Sequence, residues 1–344
     1  MPQNRIFYAC QAVAIMPHGR GNDINTNDIV RGLQTVGMSS TFSLDQVFEM
    51  GQIEIYENIE DVADIEVTLE KVIDGYKLVW DLASGGNCKT DLVAASKNRC
   101  DVFLAIFDDG LSHATGIPKN VCWNSGMYTS SVSYSYSVDG SATESVTLVG
   151  NDRMWNSVKG DAARAGNEGW LADRTADVFD GADAPLSGVV RRVDVDINGS
   201  TLPGIVTSQM SYAADAGLRS KGAHIQSISV STDMSQENIQ ELGRFGPYAR
   251  YATFPIEVTA EFEVIATSGD LVSVSGSTTN LENQPITIKD TAGTIIFLGT
   301  ANKLSQVSYS GGDTGGGNST VSYSFSNFNV LTVNGGQIAN PSAV

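Results

Sequence analysis

The sequence predicts a mainly β protein: two tandem copies of one β-rich unit, with short helices between strands. Three observations carry this. Runs in which polar and apolar residues alternate, the period of a strand packed on one side, recur in both halves of the chain. A stretch near the start repeats with a constant offset of 192 residues: Gln34, Ser39, Ser43, Glu49 and Gly51 match Gln226, Ser231, Ser235, Glu241 and Gly243. The length of 344 residues suffices for two hydrophobic cores.

The opening MPQNRIFYACQAVAIMPHG is too short and too polar to span a membrane and lacks the basic start and cleavage site of a secretion signal. In the first copy Ser43 with Gln46 three residues on fits a helix capping box, so LDQVFEM is expected to form a short helix ended by Gly51. In the second copy Ser235 would cap QENIQEL, ended by Gly243. IEVTLE at 65–70 meets IEVTAE at 256–261 with one residue of slippage, and Val67, Leu69, Val258 and Ala260 fall on the expected buried face. DVFLAIFDD at 101–109 suits a core strand or a short helix.

SSVSYSYS at 130–137 places Val132, Tyr134 and Tyr136 on one face and serines on the other. It resembles both LSQVSYSG at 304–311 and STVSYSFS at 319–326. Residues 156–187 lack strand alternation and divide the chain into a first β domain, 1–155, a connector or loop excursion, 156–187, and a second β domain, 188–344. Further strands are expected at 189–197, 271–275, 286–289 and 294–298, and GGDTGGG at 311–317 as a mobile hairpin tip.

A net charge of −18, from 21 Lys+Arg against 39 Asp+Glu, argues against a grip on nucleic acid. Cys10, Cys88, Cys100 and Cys122 match neither a redox pair nor a zinc knuckle and read as free or buried thiols, with a Cys88–Cys100 bridge left open. His18, His113 and His224 are far apart and lack zinc-enzyme spacing. Asp23, Asn25 and Asn27 begin like a calcium loop, but Asp28 stands where the turn glycine belongs and Gln34 where the twelfth-position glutamate belongs. No phosphate-cradling loop or nucleophile elbow occurs, so neither an enzyme nor a cofactor is expected.

The segments FSLDQVFEMGQIEIYENIEDVADIEVTLEKVIDG, SGMYTSSVSYSYSVDGSATESVTLVGNDRMW and SISVSTDMSQENIQELGRFGPYARYATFPIEVTAEFEV together resemble the tail tube proteins of tailed bacteriophages. The resemblance implies tandem duplicated β-sandwich or barrel-like domains in a virion structural protein, assembled in the host cytoplasm, whose rings stack into a hollow tube that conducts DNA during ejection and joins other tail proteins. A two-domain chain would suit trimeric rings with pseudo-sixfold symmetry, with a hexamer as the alternative. The expected oligomer contacts lie around 52–63 and 244–254 and include Glu49, Gly51, Gln52, Tyr56, Glu241, Gly243, Arg244, Tyr248 and Arg250. Arg244 and Arg250 could bridge to a carboxylate of the next subunit, whereas the first-half positions are Gln52 and Asn58, so two kinds of seam would result. The competing reading is a β-sandwich binding module or another virion component, such as a baseplate or adhesin protein.

Overall fold

The computed structural model describes residues 6–19, 24, 26–51, 53–109, 118–157, 186–208, 224–273, 282–312 and 317–335. Gln52, His113, most of the connector expected at 156–187 and most of the glycine-rich tip lie outside them. The protein is mainly β with short helices. Eleven strands form one antiparallel sheet, eight of them in the continuous order β16-β17-β13-β10-β7-β8-β5-β2.

Their ranges are β2 Leu33–Thr41, β5 Asp64–Val72, β7 Asn120–Ser137, β8 Thr143–Gly150, β10 Ile225–Asp233, β13 Glu257–Ile265, β16 Lys303–Ser310 and β17 Thr320–Phe328. β7 is long enough to serve two layers. Its second half lies in the eight-strand path, while its first half pairs with β6 (Arg99–Ile106) and β9 (Asp152–Ser157), and β6 in turn pairs with β1 (Gln11–Pro17).

The duplication is visible as pairing. The first half has the order β2-β5-β8-β7 and the second repeats it as β10-β13-β17-β16. Bulges recur at equivalent places: Leu33/Thr35 in β2 and Ile225/Ser227 in β10, Thr129/Ser131 in β7 and Leu304/Gln306 in β16. A bulge marks register because it opposes two residues to one, so β2 maps onto β10 at an offset of 192 (Leu33 to Ile225) and β7 onto β16 at 175 (Thr129 to Leu304).

The register of β5 against β13 corrects the sequence match. Leu33 pairs with Lys71 and Ile225 with Val264, an offset of 193 for the second strand rather than the 191 of IEVTLE and IEVTAE. A Val/Glu alternation can shift by two residues without changing faces, so local identity cannot report register. The second half carries one extra residue, in the link from Ala252 to Glu257.

Both expected capping-box helices are instead β-hairpin arms. β3 (Leu44–Phe48) pairs with β4 (Ile55–Glu60), and β11 (Gln236–Ile239) with β12 (Ala249–Ala252). Helix nucleation is costly and seven residues are too few to recover it without packing, whereas each arm continues a hairpin already held by β2/β5 or β10/β13. Gly51 and Gly243 adopt φ +99 and +85 at the arm tips, as turn residues rather than helix exits.

Residues 101–106 are strand, within β6. The strand expected at 189–197 is a run of turns with bridges Ser141–Arg191 and Val195–Asp290, and residues 271–273 are irregular. β14 (Thr287–Lys289) and β15 (Ile295–Phe297) fall where expected and pair as two strands of a small sheet with β18 (Thr332–Asn334).

One face of the eight-strand path is apolar and buried from both halves, through Val67, Leu69, Val132, Tyr134, Val230, Ala260, Phe262, Tyr323 and Phe325. It packs under Ile286, under Ile288 and Ile296 of the small sheet, and under helix α1 (Val79–Ala83). These residues form one hydrophobic cluster across the two halves. The opposite face carries the alternate positions, among them Glu66, Thr68, Glu70, Ser133, Ser135, Ser229, Ser231, Glu261, Glu263, Ser322 and Ser324, in partly or fully exposed settings.

Within the core, fully buried Glu144 accepts from Val79 N at 2.6 Å, Trp80 N at 3.2 Å and Tyr134 Oη at 2.9 Å. Burial raises its pKa, opposed by the Val79 N–H and the charge of Lys71. All four cysteines are free and buried, with no Cys88–Cys100 bridge. Burial pushes the Cys88 thiol up to about 12 and that of Cys122 to about 11.

Candidate assembly interface

The two ends of the eight-strand path, β2 and β16, are the structural counterparts of β10 and β7, the strands that join the halves at the middle. Among the described residues the chain therefore contains one finished joint and the two unjoined sides of another. In the finished joint Tyr136 opposes Ile228, Tyr134 opposes Val230 and Val132 opposes Thr232. Val138 N donates to Gln226 O and Met234 N to Ser130 O, so even-numbered residues of both strands face one another across it. By the correspondence of bulges, Val36, Met38 and Ser40 on β2, and Val307 and Tyr309 on β16, turn their backbone groups to the open edges.

Exposure follows the same logic. Tyr134 is 1% exposed and its counterpart Tyr309 is 52% exposed. Val132, Ile228 and Val230 are buried, while Val307, Val36 and Met38 are only partly covered. Identical chemistry thus sits dry in the joint and wet at the edges. Open edges with apolar side chains are a template for pairing with another strand.

The second arm shows how an arm seats on the joint. Arg250, 7% exposed, donates from Nη2 to Asp64 Oδ1 at 2.8 Å and to Asn151 Oδ1 at 2.9 Å, and from Nε to Asn151 Oδ1 at 3.1 Å. The arm's Arg244, Phe245 and Tyr248 line a cleft of about 650 Å³ against Tyr128, Asp152 and Asp61 of the first half. The bridge expected between subunits at Arg250 is therefore made inside the chain, between its halves. Arg250→Ala should lower the monomer's stability by about 2 kcal/mol, because a buried guanidinium loses charge-assisted hydrogen bonds and Asn151 loses its donors. Urea denaturation measures this, and a change below about 0.5 kcal/mol would contradict the assigned role.

The other expected contact residues occupy the arms. Glu49 and Gly51 lie at the tip of the first, and Tyr56 is 63% exposed on β4. In the second, Glu241 meets Arg244 at 3.5 Å, the Arg244 guanidinium sits 6.0 Å from the ring centre of Tyr248, and Gly243 lies at the tip. Phe42, Phe48, Met50, Ile53, Ile55, Ile59, Leu242 and Phe245 add apolar surface to the two arms and the base of the first, and all are exposed. Sequence inspection missed the edge residues Met38 and Tyr309 and the seat residues Asp64 and Asn151. The signal for Tyr309 was present in the match of VSYSG to VSYSY. Among the described residues no three His, Cys, Asp or Glu side chains converge as a metal site would require.

No protein-family model matches the chain, and no curated protein matches it. Among solved structures it is similar to a chain of the anti-feeding prophage baseplate, with TM-score 0.32 and 15% identity, over 45% of this chain and 97% of that one. It is also similar to a chain of the cap that terminates the anti-feeding prophage tube, with TM-score 0.33 and 12% identity, over 46% of this chain and 94% of that one.

Proposed function

We propose that this protein is a non-enzymatic structural subunit that closes head to tail into rings, and that the rings stack into the tube of a phage tail. The observation that carries the reading is the repeated joint. A unit that joins its own copy through β7 and β10 presents the same two edges, β16 and β2, to neighbouring chains. A head-to-tail contact of this kind gives a ring when its rotation closes. Ring closure removes the open edges that would otherwise promote disordered pairing.

The polar face of the path supplies the channel lining in this reading. Serine, threonine and glutamate dominate it, and Lys303 at the end of β16 is a cationic exception. Such a surface repels phosphate rather than condensing on it, so a DNA duplex passes without being held. Two equivalent units per chain suit a trimer with pseudo-sixfold symmetry.

Mapping the finished joint onto the edges sets the register: Tyr309 opposite Met38, Val307 opposite Ser40, and Ser308 opposite Ser39. The last is a non-hydrogen-bonded pair, in which Cα atoms approach to about 4.5 Å, within disulfide range. Ser39→Cys with Ser308→Cys should give disulfide-linked multimers under mild oxidation, and electron microscopy should show rings and stacked cylinders. Monomers alone at every concentration, without multimers, would reject the reading.

A further inference from the structure

The two arms are not interchangeable, and their chemistry points to different seats. Residues 42–63, the first arm and its base, contain Asp45, Glu49, Glu54, Glu57, Glu60 and Asp61 and no Lys or Arg. The second arm brings Arg244 and Arg250 to a seat rich in carboxylates, where Asp61, Asp64 and Asp152 gather. The first arm could not take that seat on another copy without setting carboxylate against carboxylate.

The equivalent seat in the second half is different. At the offsets defined by the strands, Asp64 becomes Glu257, Asn151 becomes Phe328 and Tyr128 becomes Lys303. Phe328 is 56% exposed; also exposed are Val330, two residues on, and Phe254, two residues before Ile256, whose carbonyl accepts from Asn329 N. A seat with three carboxylates and a tyrosine is thus replaced by one that keeps the single carboxylate of Glu257 among apolar residues and a lysine. On the arms, Arg250 is replaced by Asn58, which lies opposite Gln46 just as Arg250 lies opposite Asn238.

We infer that the first arm is a clasp for a second copy of this chain: it lies across the β16–β2 seam and seats on Phe328, Val330 and Phe254 of the neighbour. Tyr56, the counterpart of the cleft-lining Tyr248, supplies apolar contact beside Asn58, and the arm's carboxylates approach Lys303. The inference rests on the ring reading and adds the identity of the clasp, its seat and the rule that orients them. Charge exclusion from the acidic seat keeps the seam between chains from being exchanged with the joint within a chain, so specificity arises from repulsion as well as fit.

The test is cross-linking of full-length protein bearing Asn58→Cys and Phe328→Cys with a short bis-maleimide, run beside the Ser39→Cys/Ser308→Cys protein. Both new positions are exposed and the four native thiols are buried, so labelling falls on the introduced pair. A ladder of covalent multimers from both proteins is the expected result. A ladder from the edge pair with only monomer from the arm pair would overturn the clasp and leave the ring intact. Monomer from both would overturn the clasp together with the ring.

Discussion

Met38→Pro and Tyr309→Pro should each leave a folded monomer that no longer forms rings. Both positions turn their N–H groups away from the neighbouring strand of their own chain, Met38 from β5 and Tyr309 from β17. Proline therefore removes a donor from the open edge and none from the internal ladder. Edge strands tolerate proline for this reason, and central strands do not. The expected cost to monomer stability is below about 1 kcal/mol, with complete loss of ring assembly, measured by chemical denaturation together with sedimentation and electron microscopy.

The contrast is internal to the chain. Tyr134→Pro and Val230→Pro, at the corresponding positions of the finished joint, should unfold the protein or separate its halves, since there the same hydrogen bonds lie inside the monomer. Rings formed normally by both edge variants would show that assembly does not use β2 and β16.

The second large effect belongs to Glu144. Its carboxylate is fully buried and accepts from two backbone N–H groups and the Tyr134 hydroxyl, so it ties the segment carrying α1 to the sheet. Glu144→Ala should destabilise the monomer by about 4 kcal/mol, because three buried donors lose their acceptor and a cavity opens. Its counterpart in the second half is Val321, so the polar device serves the first half only. Calorimetry or urea unfolding decides the matter, and a loss below about 1 kcal/mol would count against it.

The pH dependence has a definite sign. Because the folded-state pKa of Glu144 is raised, mainly by burial, the folded state holds this proton more firmly than the unfolded chain does. The favourable contribution of the protonated form is complete below the ordinary glutamate range. It is lost as pH rises through that range to the raised folded value. Glu144→Gln should flatten this part of the stability profile. An unchanged slope would show that the group does not titrate differently on folding.

Several features were legible from local pattern. Alternation at 65–70, 130–137, 257–265 and 320–326 reports strands and their buried face, since a strand's side chains alternate whatever its neighbours are. The repeat at an offset of 192 is borne out by matching bulges in β2 and β10. The arms were misread because Ser43 and Gln46 form a valid local helix signal, which loses to strands paired across the hairpin. The two-residue error between β5 and β13 has a related origin: a period of two cannot distinguish registers that differ by two.

The candidate site was only half visible. Glu49, Tyr56, Glu241 and Tyr248 stand out in the sequence because they repeat, and the structure places them on the two arms. Asp64 and Asn151 were not, because what makes them a seat is Arg250, distant in sequence and brought over them by the fold.

Residue type and spacing alone reveal a duplicated, strand-rich chain, the strand positions that face the core, and arginines at 244 and 250 where the first half has Gln52 and Asn58. The fold was needed to see that the two copies share one continuous sheet, that β2 and β16 are its ends among the described residues, and that Arg250 closes the joint within the chain. Strand pairing is made between backbones far apart in sequence. Every strand carries the same donors and acceptors, and which strand remains without a neighbour is known only once all the others have been placed.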